Sequence, residues 1–272
     1  MPGPQIVGIV NITSDSFSDG GRFLDTRAAI AQAERLARDG ADLVELGAVA
    51  SNVAADPVPV EEELRRLEPV ITALGHAGIA LSVDTYRPEV LRYAIGRGAA
   101  CLNDIRGFPD PSLYPELAVA PCRLVVMHSV QSGSRAVRQD LSADEVWSRI
   151  DAFFAERVAA LETAGIGRDR LILDPGMGFF LSSRPEASFR ALAGVRRLKD
   201  RFGLPVMISV SRKSFLGAAT GRPDPAERGA ATLATELYAA ARGADFIRTH
   251  DVAALRDGLA VMQALAAEEQ DY

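Results

Sequence analysis

The sequence contains little of what several protein classes depend on. Among its 272 residues there are two cysteines, Cys101 and Cys122, three histidines and one tryptophan. A disulfide framework or a structural zinc site would need more ligands nearby, so we expect two small core residues in a reducing compartment. No apolar run approaches the ~20 residues that span a bilayer, and Met1–Pro4 leads into a predicted strand without a secretory signal. We therefore expect a cytoplasmic protein with no membrane partner.

An excess of basic charge is also missing. The formal net charge is -6, and acidic and basic residues are interspersed along the chain. A nucleic-acid-binding surface would need clustered lysine and arginine, so we expect no nucleic-acid partner. Hydrophobic residues make up 48% of the chain and charged residues 24%, which is typical of a globular protein with a full-sized core.

Eight short apolar runs alternate with longer helical patterns. They are continuous and rich in β-branched residues, as in parallel strands that are buried on both faces. The predicted strands are Ile6–Ile12, Asp42–Gly47, Ala80–Thr85, Cys101–Ile105, Arg123–His128, Leu171–Asp174, Pro205–Ser211 and Asp245–His250. Parallel strands need helical crossovers, and eight such units close well, so we predict one (β/α)8 (TIM) barrel domain over residues 1–272. The alternative is an open doubly wound sheet, but Asn11–Ser16 is not the glycine-rich loop that such a sheet carries after its first strand.

The segments between these runs have apolar residues at helical spacing. Ser142 and Glu145 have the spacing of a capping box, which predicts where one of these helices begins. The predicted helices are Thr26–Asp39, Val60–Leu74, Pro88–Arg97, Ser142–Ala164, Pro185–Arg201, Pro225–Arg242 and Val252–Ala267.

Most of the predicted strands end on polar or charged side chains. In a (β/α)8 barrel the carboxyl ends of the strands surround the active site, so these side chains should converge at one mouth. The set consists of Asn11, Glu45, Asp84, Asn103, Asp104, His128, Asp174, Ser211, Arg212, Lys213, Arg248 and His250.

The composition of this set indicates its chemistry. Asp84, Asn103, Asp174 and Lys213 combine hydrogen-bond acceptors and donors that can hold a flat heterocycle rich in ring nitrogens and amino groups. The alternative for Asp84 and Asp174 is that each caps the helix that follows it.

A second group indicates an anion. Arg248 and His250 close the last strand beside Asn11, where barrels often bind phosphate, and an amide oxygen could ligate Mg²⁺. A surface ion pair is the alternative for Arg248 and His250. Ser211 has no recognisable His/Asp partners for a catalytic triad, and the histidines lack the spacing of a zinc hydrolase.

Seven motifs resemble those of dihydropteroate synthases, in order and over nearly the whole chain. They are Gly8–Gly21, Ser82–Thr85, Asn103–Ile105, Val126–His128, Asp174–Phe179, Ser211–Lys213 and Ile247–His250. The resemblance implies an enzyme that joins dihydropterin diphosphate to 4-aminobenzoate, with Mg²⁺ as cofactor. It also implies a homodimer.

The resemblance assigns roles to single positions. Asp84, Asn103, Asp174 and Lys213 would bind the pterin, with Asp84, Asp174 and Lys213 as the catalytic residues. Asn11 would ligate Mg²⁺ and hold the diphosphate with Arg248 and His250. The aminobenzoate pocket would include Ser51, Phe179, Phe180 and Ser211, with Lys213 beside them. The diphosphate would leave first, and Asp84 would stabilise the pterin-methyl cation that the aniline nitrogen attacks.

The sequence departs from the common family pattern in places. Glu45 replaces the usual aspartate on strand two, and Ser51 and Asn52 replace the usual threonine and arginine of the loop that follows it. Phe179 and Phe180 lie where the family usually has phenylalanine and glycine. These features resemble the acquired, sulfonamide-insensitive branch, in which a bulky ring at the pocket rim would clash with the drug and spare the substrate. The alternative for the two rings is ordinary packing. The alternatives for the activity are a pterin-binding methyltransferase domain and a non-catalytic pterin-binding paralogue.

Overall fold

Eight parallel strands form the centre of the molecule in the computed structural model, which describes residues 3–12, 26–49, 58–130 and 140–268. The strands are β1 (Gln5–Asn11), β2 (Leu43–Gly47), β3 (Leu81–Asp84), β4 (Cys101–Asp104), β5 (Arg123–Met127), β6 (Leu171–Asp174), β7 (Met207–Ile208) and β8 (Phe246–Thr249). Their order is β6-β5-β4-β3-β2-β1-β8-β7. A bridge between Leu173 and Val206, with Leu173 N–H donating to Pro205 O at 2.9 Å, brings the two end strands together. The predicted single-domain (β/α)8 barrel is confirmed as a nearly closed barrel, and the open-sheet alternative is wrong.

Helices surround the barrel. They are α1 (Thr26–Arg38), α2 (Val60–His76), α3 (Pro88–Gly96), α4 (Tyr114–Val119), α5 (Ala143–Thr163), α6 (Pro185–Ala193), α7 (Val195–Phe202), α8 (Ser214–Thr220), α9 (Gly229–Ala241) and α10 (Val252–Glu268). The capping box of Ser142 and Glu145 starts α5 as predicted. None of the described helices is long and apolar enough to cross a membrane.

The predicted helix over Pro185–Arg201 is wrong in one respect. The chain forms two helices there, α6 and α7, which meet at Gly194. A Cβ atom on Gly194 would lie 1.8 Å from the Trp147 ring of α5, so the absence of a side chain lets α5 approach closely. The periodicity continues across this break and therefore does not mark it. The short helices α4 and α8 were not predicted either, because six or seven residues carry too little pattern.

One layer of apolar side chains fills the lower half of the barrel. It consists of Val7, Leu43, Cys101, Val125, Ile172, Met207 and Phe246. Cys101 and Cys122 are both free and buried, as expected of small core residues. Side chains two residues apart on a strand point to the same face. The residue two positions after each member of this layer therefore also faces the barrel interior, one layer higher. The barrel interior thus has an apolar floor, and the side chains above this floor determine the chemistry.

Candidate active site

Polar side chains occupy most of the layer above the apolar floor. The step of two residues leads from Leu43 to Glu45, from Cys101 to Asn103, from Ile172 to Asp174, from Met207 to Ser209 and from Phe246 to Arg248. Glu45, Asn103, Asp174 and Ser209 are buried, and Arg248 is nearly so. Polar groups removed from water need partners, and these side chains find them in each other.

Arg248 is the hub of this layer. Its Nε donates to Glu45 Oε1, and its Nη2 donates to Asp84 Oδ2 at 3.1 Å. Glu45 also accepts from Ser82 Oγ at 2.9 Å and from Asn103 Nδ2 at 3.2 Å. The guanidinium therefore reaches from β8 across β1 to strands β2 and β3, where two carboxylates hold it. The surface ion pair considered for Arg248 is wrong, because its partners lie inside the barrel mouth.

Asp84 ends β3 in an environment that disfavours its charge. Burial raises the pKa of Asp84 to about 7, and the neighbouring charge of Glu45 adds to the increase, while Arg248 opposes it. Asp84 is not the cap of α3, since that position belongs to Arg87. With a pKa of about 7, this carboxyl group at the barrel mouth is available to a cationic ligand or to one that forms hydrogen bonds.

Asp174 and Lys213 form the opposite side of the mouth. Burial raises the pKa of Asp174 to about 6 and lowers the pKa of Lys213 to about 8, while the attraction between them opposes both shifts. Asp174 accepts from Gly176 N–H at 2.7 Å, so it shapes the turn after β6 and does not cap a helix. Lys213 Nζ donates to Met177 O at 3.3 Å and lies 5.1 Å from the centre of the Phe180 ring. One carboxylate, one amine and one aromatic face therefore meet at this side.

Ser211 and His250 are paired above β7 and β8. Their Oγ and Nδ1 atoms are 2.9 Å apart, and His250 N–H donates to the same hydroxyl at 3.2 Å. Burial lowers the pKa of His250 to about 3, with Arg212, Arg248 and Lys213 contributing in the same direction. The ring is therefore neutral at pH 7. Its Nε2 is buried and has no hydrogen-bond partner within the part of the chain that the structure describes.

Asn11 ends β1 at the same mouth. A Cβ atom on Gly47 would lie 3.7 Å from Asn11 Oδ1 and 4.0 Å from Asp84 Oδ2, so glycine leaves the space between these oxygens open. Mg²⁺ prefers oxygen ligands, and the side-chain oxygens of Asn11 and Asp84 are of this type. Among the described residues, no group of three or more His, Cys, Asp or Glu side chains could hold a metal by itself.

Other predicted positions make contacts that support the fold around the mouth. His128 is buried against the Phe153 ring, with its Nδ1 atom 3.1 Å from Pro175 O. Asp104 accepts from Arg106 N–H at 2.8 Å and from Phe108 N–H at 3.0 Å, and so shapes the turn after β4. Phe179 and Phe180 lie half-buried in the turn after β6. Ser51 and Asn52 lie outside the described residues.

Sequence reasoning missed the roles of Ser82 and Ser209 and left that of Glu45 open. Ser82 donates to Glu45, and Arg248 Nη1 lies 3.4 Å from Ser209 Oγ. A signal was present, because both serines interrupt apolar runs at positions that face the barrel interior. Counting in steps of two from Met207 would have found Ser209.

Comparison with known proteins shows the family of this chain. The family model of pterin binding enzymes matches residues 7–250. The dihydropteroate synthase type-2 of Escherichia coli is 58% identical over 260 residues, which are 96% of this chain and 95% of that protein. The type-3 enzyme of Escherichia coli is 52% identical over 96% of this chain and 99% of its own length. The dihydropteroate synthase of Escherichia coli K12 is 34% identical over 98% of this chain and 93% of its own length.

Solved structures give the same answer. A Xanthomonas albilineans dihydropteroate synthase with 4-aminobenzoic acid has a TM-score of 0.87 and 42% identity, covering 97% of this chain and 94% of that one. A Yersinia pestis dihydropteroate synthase with a sulfonamide drug complex has a TM-score of 0.89 and 32% identity, covering 97% and 95%. The resemblance drawn from the seven motifs is confirmed. The chain belongs to the dihydropteroate synthase family of pterin-binding enzymes, with greater similarity to the type-2 and type-3 forms than to the Escherichia coli K12 enzyme.

Proposed function

We propose that the chain condenses (7,8-dihydropterin-6-yl)methyl diphosphate with 4-aminobenzoate, giving 7,8-dihydropteroate and diphosphate. The observation that carries this proposal is the polar set of Asp84, Asn103, Asp174, Lys213 and Arg248 above an apolar floor, with Asn103 and Asp174 buried and the other three partly buried. Relatives support it, since one Xanthomonas albilineans structure contains 4-aminobenzoic acid and another contains 7,8-dihydropteroate.

The pterin would bind on the polar layer. Asp84 and Asp174 approach it from opposite sides and can accept hydrogen bonds from its amino and ring N–H groups, while Lys213 can donate to a ring acceptor. Asn103 Oδ1 is buried and has no hydrogen-bond partner among the described residues, so it is available as an acceptor. A ligand that satisfies these groups removes the cost of leaving them unpaired, which favours a nitrogen-rich ring over an apolar one.

The diphosphate would lie above β1 and β8. Arg248 supplies positive charge, and the neutral His250 can donate through Nε2 while Ser211 holds its Nδ1 atom. Asn11 would ligate Mg²⁺ by its amide oxygen. When bound, Mg²⁺ neutralises charge on the leaving diphosphate.

The reaction follows from this placement. The bond between the pterin methylene carbon and the diphosphate oxygen breaks, and both electrons leave with the diphosphate. Asp84, as a carboxylate, stabilises the pterin-methyl cation that remains. The aniline nitrogen then forms the new carbon–nitrogen bond and loses one proton. Charge separates and recombines near fixed groups, so electrostatic stabilisation by Asp84 and Arg248 supplies most of the catalysis by the chain itself.

We further propose that the enzyme discriminates against sulfonamides at the aminobenzoate end of the site. Ser51, Phe179, Phe180 and Ser211, with Lys213 beside them, would line this pocket. Phe179 and Phe180 lie in the turn after β6, and Lys213 holds the Phe180 ring by a cation–π contact. A rigid ring at the rim excludes a drug that extends beyond the volume of aminobenzoate. The higher identity to the type-2 and type-3 forms supports the same proposal.

One assay tests these proposals together. The purified chain is incubated with dihydropterin diphosphate and Mg²⁺, with and without 4-aminobenzoate, and dihydropteroate and diphosphate are measured. We expect both products only with the second substrate and only with Mg²⁺. Pterin binding without turnover would identify a non-catalytic paralogue, and methyl transfer to a corrinoid would identify a methyltransferase. Inhibition by a sulfonamide at the concentration that stops a sulfonamide-sensitive dihydropteroate synthase assayed in parallel would remove the claim of insensitivity.

We also propose a cytoplasmic homodimer in which the single barrel domain extends over residues 1–272. Exposed apolar side chains on the last two helices support the dimer, namely Tyr238 on α9 with Val261 and Leu265 on α10. Sedimentation of the wild-type chain and of Leu265→Glu tests this. We expect a dimer that the substitution weakens.

A further inference from the structure

The turn between β7 and α8 has a strained backbone. Lys213 N–H donates to Val210 O at 3.1 Å, which closes a four-residue turn with Ser211 and Arg212 at its centre. Arg212 has φ of 59°, in the left-handed region that favours glycine. Within the described ranges, Phe108 is the other non-glycine residue with positive φ. A non-glycine residue keeps such a conformation only when its surroundings hold it there.

Two buried side chains hold both backbone polar groups of Arg212. Its N–H donates to Thr232 Oγ1 at 3.0 Å, and its carbonyl accepts from Arg228 Nη1 at 2.7 Å. Arg228 is 6% exposed and Thr232 is 4% exposed. Neither residue lies on a strand, since Arg228 immediately precedes α9 and Thr232 lies in its first turn.

Arg228 is itself fixed by the chain around it. Its Nε donates to Arg222 O at 3.0 Å, and its Nη2 donates to Pro223 O. A Cβ atom on Gly217 would lie 2.4 Å from Arg222 O and 2.6 Å from Arg228 Nε, so α8 needs glycine at this position to make room for the contact between them. The planar, multiply donating guanidinium thus ties the end of α8 to the turn, which a single ammonium group could not do.

The turn decides where two site residues lie. In a continued strand, Lys213 would advance about 7 Å beyond Ser211, out of the barrel. The turn instead keeps both at the mouth, where Ser211 contacts His250 at 2.9 Å and Lys213 reaches Met177 O at 3.3 Å. We infer that Arg228 and Thr232 are positioning residues, which fix Arg212 in its left-handed conformation and thereby place Ser211 and Lys213. This inference rests on the proposed function for the roles of those two residues.

A matched pair of substitutions on α9 tests the inference. Thr232→Val keeps the side-chain shape and removes the acceptor for Arg212 N–H. Thr235→Val removes a hydroxyl that donates within its own helix, to Ala231 O at 2.7 Å, and is the control. We expect Thr232→Val to weaken binding of dihydropterin diphosphate and raise the KM for 4-aminobenzoate about five- to tenfold, the range of one hydrogen bond. Thr235→Val should leave both unchanged at a similar melting temperature, and Thr232→Ser should restore them.

Arg228→Lys is a second test, and we expect the same effects on binding and KM. A lysine in this place can replace one of the three carbonyl contacts that Arg228 makes, and not all three. Crystal structures of Thr232→Val and Arg228→Lys should have Arg212 outside its left-handed conformation, or Lys213 displaced from Met177. An unchanged turn, or equal binding by Thr232→Val and Thr235→Val, would overturn the inference. If the wild type forms no dihydropteroate, the proposed function fails, and the crystal structures still decide whether these residues hold the turn.

Discussion

Arg248 and Asp84 are joined by a hydrogen bond of 3.1 Å across the barrel mouth, from β8 to β3. The same guanidinium also pairs with Glu45, so one cation lies between two carboxylates in a buried site. Breaking a buried ion pair leaves an uncompensated charge, so the charge state of each of these three side chains affects that of the other two.

Glu45 should set the pH range in which Asp84 is ionised. Burial and the charge of Glu45 both raise the pKa of Asp84, which lies at about 7. Glu45→Gln removes that charge, so we expect the acidic limb of the kcat/KM profile to move about one unit to lower pH. Glu45→Asp keeps the charge and should leave the limb in place. Identical profiles for wild type and Glu45→Gln would contradict this coupling.

Asp84 should matter for turnover and not for folding. Asp84→Asn keeps the volume of the side chain but cannot carry the negative charge that stabilises a pterin cation. We expect kcat to fall about 10²- to 10³-fold, which is typical when one stabilising group is lost. The melting temperature should hold, because Arg248 stays paired with Glu45 in this variant. A kcat within about threefold of wild type would overturn the assignment.

Phe180 should contribute to the exclusion of sulfonamides. Its ring lies 5.1 Å from Lys213 Nζ, at the side of the mouth where 4-aminobenzoate is proposed to bind. Phe180→Leu removes ring volume and the cation–π contact, and we expect the inhibition constant of a sulfonamide to fall about tenfold. The same substitution at Phe179 compares the two rings. If neither variant gains sensitivity, the two rings are ordinary packing.

Glu236 should make the fold less stable at high pH. The side chain is 1% exposed on α9, and burial raises its pKa from 4.5 to about 8. The neutral form is favoured in the folded state, so its stability contribution is present below about 4.5 and is lost as pH rises to about 8. Glu236→Gln should therefore raise the melting temperature more at pH 8 than at pH 5, by about 3 °C. An equal effect at both pH values would show that Glu236 does not titrate in this range.

Gly194 should be required for the packing of α5. A Cβ atom there would lie 1.8 Å from the Trp147 ring, so Gly194→Ala forces the helices apart. We expect a loss of about 1–3 kcal/mol in the free energy of unfolding, measured with urea. Gly75→Ala on α2 is the control, because a Cβ atom there would meet nothing within 4 Å. Alanine in a helix should stabilise at that position by up to about 1 kcal/mol.

Several site residues could be found from sequence because strand ends in a parallel barrel converge. Asp84, Asn103, Asp174 and Lys213 each follow an apolar run, and the topology then brings them to one mouth. The contacts between them could not be found in this way. The pairing of Arg248 with Glu45 joins residues that are 203 positions apart, and no local pattern records which carboxylate a long side chain will reach.

The barrel, its mouth and the family could be predicted from the sequence, because hydrophobic periodicity and strand-end motifs are local signals. The break at Gly194, the network around Arg248 and the left-handed turn at Arg212 became visible only in the folded chain. Each of these depends on a neighbour from another element: the Trp147 ring, the Asp84 carboxylate and the Arg228 guanidinium. Packing and desolvation act between such neighbours, and their proximity exists only once the chain has folded.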